Sequence, residues 1–470
     1  MTRSSLWVSV AIIVALGATV RAAADDRVAG TPVAAAKPAA SAAAQQAAAP
    51  PSSPLTIRLG DADFLIGGLV DSTAVMRNTN HGGSIASSFG TIPFANTTAG
   101  NLSETCFSSQ NSRVTLLVTS QVGRASVRGY IETDFSGNAP AGLNVTTNGN
   151  TLRLRLYYAQ FRRGKFEFVG GQAYSLLTPN RNGLSPAPGD VFFGQTLDTN
   201  FQMGLTWTRA PQFRFIAHPN DVVTAGVALE NPEQYVGSAV VLPAAFSASQ
   251  VDTGVTTTQV PNPYPDVIGK IAFDPKTGAT RQHIEAAVLV RGFKTYNPTT
   301  ASSFTGTGTG FSANAVVEPV RNVRIVATSF FSSGGGRFIG NTNIPDFIVN
   351  ADYSLSLVKS RSFIVGPEIT AGKTLVYGYY SHARIDQNLA TDTNGRAIGY
   401  GVEGSTAANK TLREATIGFA QTFFRDPKIG ALQLLAQYSN VQRTPFSVPA
   451  GTPGDANMNM VYVTVRYVLP

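Results

Sequence analysis

The residues whose type and spacing most clearly indicate a chemical role are arginines that alternate with apolar side chains. In residues 151–163, Arg153, Arg155 and Arg163 fall on one face of an extended chain, together with Tyr157. The opposite face is apolar and consists of Leu152, Leu154, Leu156 and Tyr158. A guanidinium keeps its charge at physiological pH, and its planar fork matches a carboxylate or a phosphate. This pattern predicts recognition of anions.

Catalysis is not predicted by the remaining chemistry-bearing residues. The four histidines, His81, His218, His283 and His382, show no HExxH spacing, and the chain has no GxSxG elbow and no P-loop. The glycine-rich residues 306–310 and 334–336 lie between predicted strands, which indicates loops. The single cysteine, Cys106, cannot form an internal disulfide and is interpreted as structural or incidental, with an intermolecular bridge or lipid attachment as the alternatives. We expect no enzyme, no cofactor and no metal, with a barrel hydrolase that uses His283 as a minor alternative.

The start of the chain resembles an export signal. Arg3 precedes an apolar core of about 15 residues, and small residues at 22–24 suit signal peptidase. This core is too short for a permanent spanning helix. We therefore predict a signal peptide at residues 1–24 and a disordered Ala- and Pro-rich periplasmic linker at residues 25–54.

Residues 55–470 contain many segments of about ten residues in which apolar and polar side chains alternate, as expected of barrel strands. The predicted fold is all-β, a transmembrane antiparallel barrel with short periplasmic turns and long extracellular loops, in the outer membrane of a Gram-negative-type bacterium. The candidate strands cover residues 64–73, 112–121, 125–135, 151–163, 166–174, 200–208, 212–217, 222–230, 265–273, 281–290, 310–317, 322–331, 347–357, 362–369, 373–382, 412–424, 429–439 and 460–468.

The number of strands is constrained by parity. The alternation of short and long connections breaks near Glu230 and again near Gly366, so at least two of the candidate strands are wrong or one is missing. Bacterial single-chain barrels have an even number of strands. We predict 16 strands, with 18 as the alternative.

The orientation of each strand follows from the cost of a charge that faces lipid, about 2 to 4 kcal/mol for Arg or Lys at the midplane. A strand with arginines on one face must turn that face inward. The predicted pore-lining residues on the strands are Arg113, Arg128, Arg153, Arg155, Arg163, Arg214, Glu132 and Asp134. Alternatively, the arginines pair with Glu132, Asp134, Glu167 and Glu285 as salt bridges that fill the lumen.

One predicted loop, residues 175–199, is long and adjoins the arginine-bearing strands. It could fold into the barrel and narrow it, with Arg181, Asp190 and Asp198 as lining charges. Composition does not distinguish a tucked loop from an exposed one, so an ordinary surface loop is the equal alternative.

Four segments resemble the DcaP-like family of outer-membrane porins. They are RLRLYYAQF at 153–161, GGQAYSLLTP at 170–179, RGYIETDFSG at 128–137 and SQNSRVTLLV at 109–118. The resemblance implies a trimeric barrel that carries small anionic solutes, especially dicarboxylates, through an arginine-lined eyelet. On the matched segments the eyelet would be carried by Arg113, Arg128, Arg153 and Arg155.

These observations predict a porin for passive diffusion of small anionic hydrophilic solutes. The expected partners are outer-membrane lipid, the solutes and two further copies of the chain in a homotrimer. Nucleic acid is not expected, because the net charge of +8 is spread over the strands and forms no patch with aromatic residues. The alternatives are a non-conducting barrel that acts as a surface adhesin, receptor or structural protein, and a soluble exported β-protein.

Overall fold

The computed structural model describes residues 53–81, 85–137, 150–189, 191–198, 201–254, 260–278 and 280–470. The predicted signal peptide and residues 25–52 of the predicted linker lie outside these ranges, as does Asp190. Within the described ranges, no helix is both long enough and apolar enough to cross a membrane.

The described chain forms a closed antiparallel barrel of 16 strands. The strands are β1 (Ala62–Arg77), β2 (Arg113–Val122), β3 (Ala125–Asp134), β4 (Arg153–Arg163), β5 (Phe166–Tyr174), β6 (Arg209–Ala217), β7 (Val223–Glu230), β8 (Asp266–Phe273), β9 (His283–Asn297), β10 (Ser302–Val320), β11 (Val323–Ser333), β12 (Lys359–Ala371), β13 (Thr374–Ile385), β14 (Asn409–Asp426), β15 (Gly430–Pro445) and β16 (Ala456–Val468).

The barrel closes where its last strand pairs with its first. β16 runs antiparallel to β1, with Asp71 opposite Arg466 and Thr73 opposite Thr464. Two short strands, Thr56–Leu59 and Glu104–Ser108, extend the pairing along the ends of β1. Closure satisfies the backbone groups of both edges, which a strand in a bilayer cannot leave unpaired.

The connections at the two ends differ in length, as predicted. At one end the strands are joined by short turns, among them residues 123–124, 164–165, 321–322 and 372–373. At the other end the loops are long, among them residues 78–112, 175–208, 231–265 and 334–358. In bacterial outer-membrane barrels the short turns face the periplasm and the long loops face outside.

The outer wall is apolar and the charged residues of the strands turn inward, because the side chains alternate. On β6, Phe213 and Phe215 are exposed on the outside, whereas Arg214 between them is 1% exposed and faces the interior. The wall shows the same arrangement at Val465, outside, and Arg466, inside. A barrel with this apolar belt belongs in an outer membrane, which confirms the predicted location.

Two of the predicted strands are wrong. Residues 201–208 belong to a loop whose apolar side chains Phe201, Met203 and Leu205 are fully buried. Residues 347–357 form a small hairpin in which Phe347–Val349 pairs with Leu355–Leu357. Residues 201–208 alternate like a wall strand although both of their faces are largely buried, and residues 347–349 are three consecutive buried apolar side chains. Period two does not report whether an apolar face meets lipid or a core.

A bulge in β4 overturns part of the predicted orientation. Glu132 pairs with Leu156 and Thr133 pairs with Leu154, which leaves Arg155 as an extra residue. Beyond it the alternation is reversed, so Leu156 and Tyr158 point inward, while Tyr157 and Phe161 are exposed outside. The predicted faces are therefore wrong for four residues, Leu156, Tyr157, Tyr158 and Arg163.

Candidate functional site

The loop of residues 175–208, here called the inner loop, enters the barrel, and the structure describes its residues 175–189, 191–198 and 201–208. Its contacts reach walls on opposite sides of the barrel. The backbone N–H of Asn180 donates to Glu285 on β9 (3.1 Å), and that of Gln195 donates to Gln437 on β15 (2.9 Å). At the turn end, the N–H of Gly183 donates to Asp274 (3.1 Å). The inner loop is thus tucked into the barrel, and the surface-loop alternative is wrong.

Wall carboxylates hold the inner loop by accepting from its backbone. Glu230 on β7 accepts from the N–H of Leu176 (2.7 Å), and Glu414 on β14 accepts from the N–H of Met203 (2.8 Å). These carboxylates are almost fully buried. An irregular backbone in the lumen needs such partners, because a buried N–H without one is costly. No pattern in the chain indicates that lumen-facing acids accept from the backbone of a loop.

The first group of charges, here called the wall cluster, contains Arg113, Arg153, Arg155, Arg209, Glu132, Asp134 and Asp198. Arg155 is at its centre and donates to Glu132 (2.6 Å), Asp134 (2.8 Å) and Asp198 of the inner loop (2.6 Å). The cluster therefore fastens the inner loop to β3 and β4.

The other arginines of the wall cluster lie around this centre. Arg153 grips Asp134 through Nε (2.9 Å) and Nη2 (2.6 Å). Arg113 donates to Asp198 (2.8 Å), and Arg209 lies 3.8 Å from the same carboxylate. Burial would raise the pKa of Asp198, but the guanidiniums of Arg155, Arg113 and Arg209 outweigh it and hold that pKa below its ordinary value. Asp198 is therefore an anion at neutral pH.

A second group, here called the loop cluster, lies farther around the wall and contains Arg181, Arg324, Glu368, Tyr379 and Phe193. Arg181 of the inner loop donates to both oxygens of Glu368 on β12, one of them at 2.9 Å. Arg324 on β11 reaches the same carboxylate at 3.1 Å, and Tyr379 donates to it at 2.7 Å. The guanidinium carbon of Arg181 lies 5.1 Å from the ring centre of Phe193. Two guanidiniums thus share one carboxylate.

A third group ties another long loop to the wall. Arg291 on β9 pairs with Asp346 (2.8 Å) and Asp266 (3.2 Å), and Arg337 of the loop 334–358 pairs with Asp266 (2.5 Å). Arg291 and both carboxylates are fully buried. This group balances two cations with two anions and holds the loop in place.

The three groups share the same arrangement of buried and exposed charges. In each, the carboxylate is buried and at least one guanidinium keeps part of its surface exposed. The side chain of Arg153 is 36% exposed and that of Asp134 is 1% exposed. In the loop cluster, Arg181 is 20% exposed and Glu368 is 0% exposed. The charged surface that these pairs offer to the interior is therefore mainly cationic.

The predicted site residues fall into different environments. Arg113, Arg153 and Arg181 are partly exposed inside the barrel. Arg128 is half-buried on the same face as Tyr130, Glu132 and Asp134. Arg155, Glu132 and Asp134 are buried in the wall cluster, as the alternative of lumen-filling salt bridges describes.

Like the buried residues of the wall cluster, Arg214 and Arg163 present no charge to the lumen. Arg214 faces inward but is buried, because it donates to the carbonyl of Tyr174 (2.5 Å) and to the side chain of Gln212 (3.0 Å). Arg163 lies beyond the β4 bulge on the outward face, exposed at the turn end of the strand. Its predicted inward orientation is wrong, because one extra residue upstream reverses the face.

Three partly exposed arginines were missed by the sequence analysis. Arg324 lies within a predicted strand, where it alternates with Val323 and Ile325, and this alternation indicates an inward orientation. Arg209 falls between two predicted strands, and Arg337 lies in a loop without periodicity. Only Arg324 could have been found from the sequence pattern. The described residues contain no group of three or more His, Cys, Asp or Glu side chains that could hold a metal.

No protein-family model matches the chain, and no curated protein matches it. Among solved structures, its fold is similar to the outer membrane channel DcaP of Acinetobacter baumannii, with a TM-score of 0.62 and 17% identity over 87% of this chain and 97% of that one. OmpF of Salmonella typhi, solved in complex with daunomycin, gives a TM-score of 0.47 and 11% identity over 87% of this chain and 99% of that one. OprB of Pseudomonas putida gives 0.46 and 9% over 86% and 94%.

The similarity to DcaP confirms the resemblance at the level of the fold. It extends over nearly the whole of the DcaP chain, whereas the predicted resemblance was carried by four segments between residues 109 and 179. The chain is therefore a DcaP-like barrel in its architecture.

Proposed function

We propose that this protein is an outer-membrane porin that lets small anionic hydrophilic solutes diffuse passively past a guanidinium-lined inner loop. One observation supports the proposal above all: in these ion pairs the carboxylates are buried and the guanidiniums are partly exposed. A passing anion meets positive charge first. Cations are repelled by the same groups, because the buried carboxylates are shielded by their own partners.

Charge counting supports the same selectivity. The wall cluster has four arginines and three carboxylates, and the loop cluster has two arginines and one carboxylate, which leaves each with one positive charge. Each arginine already has a carboxylate neighbour, so its remaining attraction for a solute is moderate. A diffusion channel requires this, since a site that binds too tightly does not release.

The proposal also includes a class of solute and a number of subunits. Dicarboxylates and a homotrimer are what the DcaP-like resemblance implies. Dicarboxylates fit guanidiniums, which bind carboxylates through paired hydrogen bonds. Reversible binding of succinate in a bilayer recording, and the mass of the purified protein in a mild detergent, test these two parts separately.

A non-conducting barrel is the second candidate. It is favoured by the apolar packing of loops inside the barrel, where Phe192 and Phe201 of the inner loop and Phe338 and Phe347 of the loop 334–358 belong to one buried cluster. Such a protein would act through its external surface as an adhesin, a receptor or a structural component. It predicts no stepwise conductance in any salt.

The two candidates are separated by single-channel recording in a KCl gradient. We expect stepwise conductance with a reversal potential that indicates anion preference. An ion about 7 Å from one charge in water at 0.1 M salt feels about 0.3 kcal/mol after screening. The charge attracts the anion and repels the cation by this amount, so Arg153→Gln should lower the anion-to-cation permeability ratio about threefold, and Arg153→Glu about eightfold.

The matched control is Arg163→Gln, which removes the same charge from the same strand but from its outward face. It should leave the reversal potential unchanged. Heat-modifiable migration on gels verifies that each variant is folded. Cation preference in the wild type, or equal shifts for the variants at 153 and 163, would contradict the proposal.

A further inference from the structure

The outer wall carries a group of cations at the ends of β12, β13 and β14 that adjoin the long loops. This rim patch consists of Lys359, Arg361, Arg384 and Arg413, all of them exposed. Arg361 on β12 lies directly opposite Arg384 on β13. Arg413 on β14 lies opposite His382, one outward position below Arg384.

Within the part of the chain that the structure describes, the four cations of the rim patch form no ion pair with a carboxylate. This contrasts with the arginines inside the barrel. Like charges directly opposite each other on a sheet are destabilising. A lipid-facing wall that keeps Arg361 beside Arg384 therefore needs a compensating anion from outside the chain.

The surface around the rim patch combines this charge with apolar side chains. Phe331 is the register partner of Arg361, and Phe363 is one outward position closer to the membrane centre. Phe363 and Tyr380 are exposed on the outside, with ring centres 6.1 Å apart. Cations therefore lie at the outer end and aromatic rings lie below them, as at a membrane interface.

A shallow groove of about 390 Å³ runs through this region. Its lining includes Phe311, Phe331, Lys359, Arg361, Arg384 and Asp386. The groove is open to the outside of the barrel at the level where the headgroups of the outer leaflet lie, because the long loops mark the extracellular end. Its one acid, Asp386, is outnumbered by three cations.

We propose that the rim patch binds the phosphorylated headgroup of an outer-leaflet glycolipid. The guanidiniums of Arg361 and Arg384 hold the phosphate through charge-assisted hydrogen bonds, and the acyl chains lie along Phe331, Phe363 and Tyr380. The assignment depends on the orientation of the barrel and is independent of what passes through the lumen. Basic pockets beside membrane-spanning segments are a recurrent way to recognise anionic headgroups.

The test is titration of the purified full barrel in detergent, read by native mass spectrometry, with diphosphorylated lipid A and with its dephosphorylated form. The wild type should bind the phosphorylated lipid at least tenfold more tightly. The double variant Arg361→Gln/Arg384→Gln should lose about ten- to thirtyfold in affinity, from about 1 kcal/mol for each cation near an anionic lipid surface.

The matched control is Arg124→Gln/Arg163→Gln, which removes two exposed arginines from the turn end of the barrel and should bind like the wild type. Equal binding of the two lipids, unchanged affinity of the rim variant, or an equal loss in the control would overturn the proposal. If the rim variant does not fold, the two lipids compared on the wild type decide.

Two further outcomes identify other occupants and also overturn the proposal. Displacement of lipid A by millimolar inorganic phosphate would indicate a simple anion site. A change in subunit number of the rim variant without lipid would indicate an interface between copies of the chain. The rim variant should keep the wild-type reversal potential in bilayers, so failure of this proposal and failure of the anion channel are observed separately.

Discussion

The anchor of the inner loop can be tested at Asp198. Its carboxylate accepts hydrogen bonds from Arg155 (2.6 Å) and Arg113 (2.8 Å), and all three side chains are buried or nearly so. Replacing it with asparagine removes the charge and keeps one acceptor oxygen. We expect the end of the inner loop around residue 198 to undock more often in Asp198→Asn, while the barrel stays closed.

The magnitude follows from the two charged hydrogen bonds. Each contributes about 1.5 to 3 kcal/mol, and breaking a buried pair by removal of one partner costs about 3 to 5 kcal/mol. Asparagine keeps roughly half of this interaction, so the docking free energy should fall by about 2 to 3 kcal/mol. The population of the undocked state then rises about 30- to 150-fold.

Hydrogen exchange measures this population directly. The backbone N–H of Phe201 donates to the carbonyl of Gly194 (2.7 Å), so its exchange reports opening of the inner loop next to Asp198. In Asp198→Asn this amide should exchange about 30 to 150 times faster, whereas amides of β10 and β14 should not change. The matched control is Asp61→Asn, at an exposed aspartate in the turn before β1.

Either of two results would contradict the anchoring role of Asp198. Unchanged exchange at Phe201 in Asp198→Asn would mean that the wall cluster does not hold the inner loop. Faster exchange throughout the barrel wall would mean that Asp198 contributes to global stability instead of local docking. In bilayers, the variant should also raise anion preference, because the wall cluster gains one positive charge.

Two further predictions concern pH and the backbone. The pKa of Asp198 in the fold is below its ordinary value. Its contribution to the docking free energy of the inner loop is therefore complete above about pH 4 and is lost only as the pH falls through the lowered pKa. The opening free energies measured at the amide of Phe201 should be equal at pH 7 and pH 5. At Gly171 (φ +131°) a Cβ would lie 2.4 Å from a carbonyl oxygen. Gly171→Ala should therefore destabilise the folded barrel by about 1 to 3 kcal/mol and lower the temperature of heat modification. In the control Gly170→Ala the nearest atom to the new Cβ would be at 3.4 Å, so this temperature should change little.

Local alternation determined which residues could form the wall. The triplet Phe213, Arg214, Phe215 indicates an outward and an inward face without any knowledge of neighbouring strands, because a charge that faces lipid is expensive. The same reasoning placed Arg113 and Arg153 inside, where the structure has them. It failed at residues 201–208, because an apolar face packed on loops and one packed on lipid have the same period.

The orientation of β4 required information from the adjacent strand. A bulge is a mismatch between two strands, and the sequence of β4 alone contains no mark that Arg155 is the extra residue. Its consequence extends to Arg163, eight positions later in the chain. The positive φ of Gly171, opposite Tyr158, belongs to the same region, but a glycine there has several possible explanations.

The sequence by itself determined a barrel with an apolar exterior and arginines inside, because these properties depend on period-two alternation and composition. Only the tertiary structure decided which arginines keep exposed surface and which are buried in ion pairs. Arg181 and Glu368 are 187 positions apart, and Asp198 meets Arg113 across 85 positions. Such pairings depend on the path of the inner loop through the lumen, which is fixed by long-range contacts with many wall strands and leaves no periodic trace in the chain.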